Sequence, residues 1–380
     1  MRIVLVDPLG YTTPYDDRLA SALAHLGHEV HVLTAPFLLD APPRPDGYVR
    51  EELFVPIASR LLQKRPRARF RRALKGIEYL PSVRRLLRRV RELEPDVTHV
   101  QWLVRPELDV RWLRALVAGR HTVFTAHNAF PRRRHALAAW RETLETVDRV
   151  VVHSQQTLER LVEFGIERER LRVIPHPVFD APVDVAVEPP SGRTMLFFGL
   201  IRRYKGLDLL VSALPQILES VPGAHLVVAG DPLEPIEPVR ELASSLGVER
   251  AIEWRLRFVP DGELGPLLAS SAFVVLPYRE IESSGVLALA LGHGRPAVVS
   301  DLGAVGEHVR AFGAGRTVPP EDVPALASAC VELLTDEAAL RSAFEGALTA
   351  RETLTWEASA RKHEQLYAEM SERAQTGAAR

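Results

Sequence analysis

Short apolar runs alternate with amphipathic segments along this chain of 380 residues, and this alternation constrains the fold more than any other feature. Helical periodicity, as at 19–26, lies between most of the apolar runs. Strands that alternate with helices predict parallel sheets covered by helices. Strands are predicted at 3–6, 29–34, 97–102, 122–126, 149–152 and 172–174, and then at 195–198, 225–229, 252–255, 273–276, 297–299 and 316–318.

The alternation stops once, at residues 178–192, which read VFDAPVDVAVEPPSG. Proline with small and acidic residues is typical of a linker. We therefore predict an N-terminal Rossmann-like domain over 1–177 and a second one over 193–356. The fold class is α/β, with two doubly wound domains that face a central cleft. Residues 356–373 are predicted to form a charged amphipathic helix.

Composition excludes several classes of protein. An apolar content of 46% and a charged content of 26% are typical of a soluble globular protein. The single cysteine, Cys330, excludes a disulfide framework and a cysteine-rich metal site. The start MRIVLVDP lacks the features of a signal peptide, and no apolar run reaches the length of a transmembrane helix. A cytoplasmic protein is therefore expected.

A distinctive connection lies within residues 271–301, where an apolar strand is followed by an acidic loop and an apolar helix. The loop contains Glu280 and Glu282, and the helix is predicted to begin near Ser284 and Gly285. Serine is a favoured N-cap, and the free N–H groups of a helix start bind anions. The alternative interpretation is an ordinary connection between two parallel strands.

A second helix start with anion-binding character follows the strand at 195–198. Gly199 allows a turn there, and Arg202 and Lys205 lie just before the helix that starts at Gly206. Two cations beside a helix start suit a diphosphate, which needs both charge and N–H donors. A solvated basic turn is the alternative, but two such helix starts in one predicted domain favour a phosphate site.

Polar side chains end two neighbouring strands of the first predicted domain. His127 and Asn128 end one strand, and His99, Gln101 and Trp102 end the other. The carboxyl ends of parallel strands meet at one edge of a sheet, where ligands bind. These residues are therefore expected to line the cleft, although a buried structural histidine is the alternative for His127.

Four segments together resemble glycosyltransferase family 4 enzymes of GT-B fold: VFTAHN, VVVHSQQTLERLVEFGIERERLRVIPHPV, FFGLIRRYKGLDLL and FVVLPYREIESSGVLALALGHGRPAVVSDLG. The resemblance covers almost the whole chain. It implies transfer of a sugar from a UDP- or GDP-sugar with retention of configuration, and no metal or cofactor. It also implies that the first domain binds the acceptor and that 357–380 packs back on it. The acceptor would be a sugar, a lipid-linked molecule or a small molecule.

The resemblance assigns roles by position. Arg202 and Lys205 resemble the pair that neutralises the donor diphosphate, and His127 resembles the histidine that contacts the donor sugar. Glu280, or Glu282, resembles the first Glu of a Glu-x7-Glu motif that binds sugar hydroxyls. The predicted donor-binding residues are Gly199, Glu282, Ser283, Ser284, Gly285 and Val286, and the predicted acceptor-binding residues are Tyr11, Tyr15, Gln101, Trp102 and Asn128.

Three departures from the family pattern indicate a subfamily with an altered acceptor loop, and the missing second Glu keeps a protein without turnover open. The position of the second Glu of the motif is occupied by Leu289. The Arg that usually follows the glycine directly is displaced to Arg202, and GYTTPYDD replaces the Gly-Gly loop after the first strand. A sugar-nucleotide epimerase or a phosphorylase of the same fold is one alternative. A protein that binds sugar nucleotides without turnover is another.

Residues 60–91 form a strongly basic region in an otherwise neutral chain. A basic amphipathic helix can lie on an anionic membrane surface, so a peripheral position on the inner face of the membrane is expected. The alternative is a solvated face whose apolar stripe packs on the first domain. No aromatic platform or motif indicates nucleic acid. The apolar stripe consists of Leu86, Leu87, Val90 and Leu93. The cations predicted to bind anionic lipid are Arg84, Arg85, Arg88 and Arg89.

Overall fold

The structure is a computed structural model. It describes residues 1–10, 12–37, 42–55, 71–131, 136–180 and 188–378, with the backbone alone at 71–76 and 373–378. The chain divides into two compact units. Unit 1 consists of Met1–Pro175 and Trp356–Arg380, and unit 2 consists of His176–Thr355.

Unit 1 contains a parallel sheet with the strand order β3-β2-β1-β4-β5-β6-β7. Its strands are β1 (Arg2–Asp7), β2 (Glu29–Thr34), β3 (Val49–Glu52), β4 (Val97–Val100), β5 (His121–Thr125), β6 (Arg149–Val152) and β7 (Leu171–Val173). Its described helices are α1 (Thr13–His25), α2 (Arg71–Leu93), α3 (Pro106–Val117), α4 (Leu137–Thr146) and α5 (Gln155–Glu163), together with the last helix of the chain, Trp356–Ala378.

Unit 2 contains a parallel sheet with the order β10-β9-β8-β11-β12-β13. Its strands are β8 (Thr194–Phe198), β9 (His225–Ala229), β10 (Ile252–Arg255), β11 (Phe273–Leu276), β12 (Ala297–Ser300) and β13 (Gly315–Val318). Its described helices are α6 (Leu207–Ser220), α7 (Glu237–Ser245), α8 (Asp261–Ala269), α9 (Gly285–Gly292), α10 (Gly303–Phe312), α11 (Val323–Thr335) and α12 (Glu337–Thr353); the last helix of the chain is α13.

Strands β1 and β11 are apolar without interruption over residues 3–6 and 273–276, because helices cover both faces of each sheet. Ile3, Val4, Leu5 and Val6 of β1 are fully buried, as are all four residues of β11. In both sheets the strand order reverses once, between β1 and β4 in unit 1 and between β8 and β11 in unit 2. Ligands of doubly wound sheets bind at the carboxyl ends of such strands. The predicted α/β class is confirmed.

Two local predictions were wrong. Helix α1 begins at Thr13 rather than near residue 19, because Pro14 fits a first helical turn. Strand β3 was missed because its sequence, VREE, has no apolar pattern. It pairs with β2 at the edge of the described sheet, where side chains need not be apolar.

The predicted linker begins with residues that pack into unit 2. Val178 is buried, and its N–H donates to the carbonyl of Leu354 at 2.8 Å. The N–H of Phe179 donates to the carbonyl of Ala288 at 3.1 Å. Residues 181–187 lie outside the described residues, and 188–192 have no helix or strand.

Helix α2 buries the apolar stripe of the basic region in the core of unit 1. Leu86, Val90 and Leu93 are buried there, and Leu87 packs against them in part. The alternative interpretation of this stripe is therefore correct for the second half of the region. Residues 60–70 lie outside the described residues. Within the described ranges, no helix has both the length and the apolar character needed to span a membrane.

Candidate functional site

The loop after β8 and the start of α9 converge on Gly199 in unit 2. Gly199 has a φ of +104°, and a Cβ there would lie 2.9 Å from Nζ of Lys205 and 3.0 Å from Cγ2 of Val286. Gly206, just past Lys205, lies against the backbone of Pro277. A Cβ added at Gly206 would lie 2.0 Å from the carbonyl oxygen of Pro277. The structure thus brings the two predicted anion-binding helix starts together at one point.

Lys205 is a buried cation at this point, with only 7% of its surface exposed. Burial, with a smaller effect of the Arg202 charge, lowers the pKa of Lys205 to about 8. The ammonium lies 5.6 Å from the centre of the Tyr278 ring, and the described part of unit 2 places no carboxylate against it. An ammonium buried without an anionic partner is unfavourable and is stabilised by a bound anion.

Helix α9 begins as predicted. The Oγ atom of Ser284 accepts a hydrogen bond from the N–H of Leu287 at 3.3 Å, which makes Ser284 the N-cap. Ser283 and Val286 are half-buried, and Gly285 is exposed. The uncapped N–H groups of the first turn therefore belong to residues beside the Lys205 ammonium, where negative charge is favoured.

Tyr278 and Arg279 support this loop, a role that was not predicted from the sequence. The hydroxyl of buried Tyr278 lies 3.4 Å from Oγ of Ser284. Arg279 donates two hydrogen bonds of 2.8 Å to the carboxylate of Asp208 and one of 2.9 Å to the carbonyl of Arg203. Arg279 thereby ties the acidic loop to the basic turn. No local sequence pattern indicates these contacts, because the partners lie 71 and 76 residues away.

The two candidate glutamates have different surroundings. Glu280 is exposed. Glu282 is 8% exposed, and its carbonyl accepts the N–H of Ala304 at 2.7 Å in the first turn of α10. Leu289, at the position of the missing second Glu, packs against the apolar core of unit 2. Glu280 is therefore the glutamate that can reach a ligand without leaving a packed position.

In unit 1 the predicted cleft residues His127, Gln101 and Trp102 lie together. The ring of Trp102 stacks on His127 with centroids 5.1 Å apart and planes at 9°. Nε2 of His127 lies 3.2 Å from Oε1 of Gln101, and the indole N–H of Trp102 donates to Oγ1 of Thr12 at 2.9 Å. Asn128 is half-buried beside them in the chain. Tyr11 lies outside the described residues.

Tyr15 and His99 are more deeply placed than predicted. Tyr15 lies on α1, is 2% exposed, and packs edge-on against His127 and Trp356. His99 is fully buried, with Nδ1 2.7 Å from the hydroxyl of Tyr367 on α13. The prediction that His99 lines a cleft is wrong, because α13 covers it.

A pair of buried carboxyl groups near β1 was also not predicted from the sequence. Asp7 ends β1 and Asp16 lies on α1; both are buried. Burial, and next the charge of Asp7, raise the pKa of Asp16 well above its usual range. The N–H groups of Leu9 and Thr12 donate to Asp7 and hold the intervening loop. Among the described residues, no group of three or more His, Cys, Asp or Glu is arranged to hold a metal ion.

Comparison with known proteins agrees with this architecture. The family model Glycosyltransferase Family 4 matches residues 17–180, and Glycosyl transferases group 1 matches 192–336. A glycogen synthase of Mycobacterium tuberculosis is 30% identical over 296 residues, which cover 73% of this chain and 69% of that protein. A phosphatidyl-myo-inositol mannosyltransferase of Mycolicibacterium smegmatis is 28% identical over 363 residues, covering 89% of this chain and 86% of that protein.

Among solved structures, Anabaena Alr3699/HepE in complex with UDP superposes with a TM-score of 0.71 at 16% identity, covering 97% of this chain and all of that one. Two doubly wound parallel sheets of this kind define the GT-B class of glycosyltransferases. Within that class, the chain belongs to glycosyltransferase family 4. It is an enzyme, a glycosyltransferase.

Proposed function

We propose that unit 2 binds the diphosphate of a UDP- or GDP-sugar and that the enzyme transfers the sugar with retention of configuration and without a metal ion. The observation that carries this proposal is the buried Lys205 ammonium beside the first turn of α9. A diphosphate supplies the anionic partner that Lys205 lacks among the described residues. Its oxygens also accept hydrogen bonds from the N–H groups of the helix start. The UDP-bound relative in fold supports the same ligand class.

The chemistry follows from where charge develops. When the bond between the anomeric carbon of the sugar and the phosphate oxygen breaks, negative charge accumulates on the departing diphosphate. Lys205, Arg202 and the α9 N–H groups are fixed donors at that charge, and donors fixed in advance lower the barrier most. The oxygen of the acceptor hydroxyl forms the new bond to the anomeric carbon, and its proton passes to the departing diphosphate in the same transfer.

A panel of UDP- and GDP-sugars, measured by thermal stabilisation of the protein, tests the donor proposal. We expect at least one of them to raise the melting temperature of the wild type and to have little effect on Lys205→Met. Stabilisation of both proteins to the same extent, or of neither by any nucleotide sugar, contradicts the proposal.

Alanine substitutions should separate the roles of Glu280 and Glu282. We expect Glu280→Ala to weaken discrimination between donor sugars with little loss of stability, because its side chain is exposed. Glu282→Ala should mainly lower stability, because Glu282 is buried and the change removes a packed side chain. Relative kcat/KM values for two donors, with melting temperatures, check this. Equal and small effects of both changes would show that neither glutamate reads the sugar.

We also propose that unit 1 places the enzyme on an anionic membrane surface to reach a lipid-linked acceptor. The outer face of α2 has two strongly exposed apolar side chains, Ile77 (74%) and Leu80 (68%), followed on the same face by the exposed Arg84, Arg88 and Arg91. Apolar side chains with cations on one helix face suit a lipid interface. The lipid named in the mannosyltransferase relative supports this acceptor class.

Val104 and Leu108, before and within the first turn of α3, are two further exposed apolar side chains of unit 1, with 38% and 45% of their surfaces exposed. Helices α2 and α3 are joined in this region by a hydrogen bond from Tyr79 to Asp109. Not all the predicted cations belong to this surface. Arg89 makes a two-pronged ion pair with Glu51, and Arg85 donates to Ser82, so both support the fold.

Vesicle binding by variants of the exposed arginines tests the membrane proposal. We expect wild-type protein to co-sediment with phosphatidylglycerol-containing vesicles at low salt and to be released at high salt. Replacing Arg84, Arg88 and Arg91 with Gln should weaken binding about 10²-fold, because each nearby arginine adds about 1 kcal/mol. Arg18, Arg44 and Arg168, which are exposed elsewhere on unit 1, form a control of equal charge change. Equal binding by the two triple variants, or no binding by wild type, contradicts the membrane proposal.

A further inference from the structure

Two buried histidine rings are linked in a line of hydrogen bonds at the carboxyl edge of the unit 1 sheet. Nδ1 of His153 lies 2.9 Å from the carbonyl oxygen of Ile174, and Nε2 of His153 lies 3.1 Å from Nδ1 of His127. Nε2 of His127 lies 3.2 Å from Oε1 of Gln101. His153 is 3% exposed and His127 is 6% exposed.

The direction of these bonds is fixed at one end. A carbonyl oxygen only accepts, so Nδ1 of His153 carries a proton and donates it to Ile174. Burial lowers the pKa of His153 to about 4, so this ring is neutral at pH 7. A neutral imidazole has a single N–H, which leaves Nε2 of His153 as an acceptor. Nδ1 of His127 is therefore the donor in the bond between the two rings.

We propose that His153 is a positioning residue that holds a proton on Nδ1 of His127 and makes Nε2 the nitrogen at which His127 gains or loses a proton. The inference rests on the proposed function only in taking His127 as a substrate-contacting residue. A ring with a fixed tautomer has one defined atom, Nε2, at which a sugar hydroxyl can replace Gln101. A ring free to exchange tautomers would present a mixture of donor and acceptor.

Gln101 can serve both protonation states of Nε2. Its Oε1 accepts when Nε2 of His127 is protonated. Its amide nitrogen is buried and has no hydrogen-bond partner among the described residues. Rotation of the amide by half a turn lets that nitrogen donate to a bare Nε2. Two aromatic side chains also pack on the His127 ring. Trp102 stacks its face on the ring, and Tyr15 meets it edge-on with a pKa raised by burial, so that its hydroxyl stays neutral.

Imidazole ¹⁵N spectra of the unliganded enzyme at pH 7 test the proposal without an activity measurement. The His127 signals are assigned by their loss in His127→Gln. We expect Nδ1 of His127 to be protonated in the wild type. In His153→Phe the acceptor is removed, and we expect the Nδ1–H form to be replaced in part by the Nε2–H tautomer. In His153→Gln the side-chain carbonyl can accept from Nδ1, and the wild-type tautomer should return.

The His99 signals provide the fold control, because both of its ring nitrogens are bonded within unit 1 and should not change. A wild-type spectrum with His127 protonated on Nε2 alone overturns the proposal, even if His153→Phe fails to fold. So does a His127 tautomer that is unaffected in a folded His153→Phe. A normal rate of transfer in His127→Ala would instead refute the role of His127 in the proposed function and leave the tautomer result standing.

Discussion

Replacing Lys205 with methionine is expected to lower the rate of sugar transfer by about 10²-fold or more and, in the unliganded enzyme, to raise stability. Transfer falls because a fixed cation at the leaving group is lost. Stability rises because the pKa of Lys205 is lowered to about 8 in the folded state. At pH 7 the unfolded chain therefore holds this proton more favourably than the folded chain, by about 3 kcal/mol, and methionine removes that penalty.

The measurements are kcat/KM and the free energy of unfolding without ligand. Arg202→Ala is expected to reduce transfer to a similar degree. Arg203→Ala is the matched control, because Arg203 is exposed and the hydrogen bonds described for it are made by its backbone. Near-native turnover in both Arg202→Ala and Lys205→Met would refute the diphosphate site.

Acidification from pH 7 to pH 5 is expected to destabilise unit 1 strongly. Burial lowers the pKa of His153 and of His363 to about 4, and it also lowers the pKa of His99 well below its usual range. The unfolded state binds more protons between about pH 4 and 6.5, so stability is present above pH 6.5 and is lost as the pH falls. For His153 and His363 together the loss at pH 5 is about 4 kcal/mol.

Urea unfolding at both pH values checks this, with His363→Phe to isolate one group. The variant should lose about 2 kcal/mol less stability than the wild type between pH 7 and pH 5. Asp16 acts in the opposite direction, because its raised pKa favours the folded state as the pH falls, and it is present in both proteins. Identical pH dependence in the two proteins would show that His363 is not held neutral by burial.

Most of the fold could be predicted from the sequence because its strands are buried on both faces. Strands β2, β6, β9, β10 and β11 have the predicted bounds. Strand β3 could not be found in this way, since an edge strand with charged side chains has no apolar signature. The first turns of α1 were not predicted because Asp16 and Asp17 are polar, yet both are buried. Asp17 accepts a hydrogen bond from Tyr48, a partner 31 residues away.

The candidate site was likewise predicted from the sequence only in part. The basic turn at Arg202 and Lys205 and the helix start at Ser284 were found because local sequence specifies both. The supports were missed because they depend on contacts between distant segments: Arg279 with Asp208, and His153 with His127. The depth of burial of Lys205 was also not predictable, since it results from the approach of Gly206 to Pro277 and the packing of Tyr278.

Calorimetric titration of the wild-type enzyme with UDP and with GDP at pH 7 and pH 9 tests the central claim most directly, namely that Lys205 holds the donor diphosphate. Because the pKa of Lys205 in the free enzyme is about 8, we predict that binding of the preferred nucleotide weakens about 10-fold at pH 9 and takes up close to one proton there. Lys205→Met should bind weakly at both pH values. Wild-type affinity that is the same at pH 7 and pH 9, or undiminished binding by Lys205→Met, would contradict the claim.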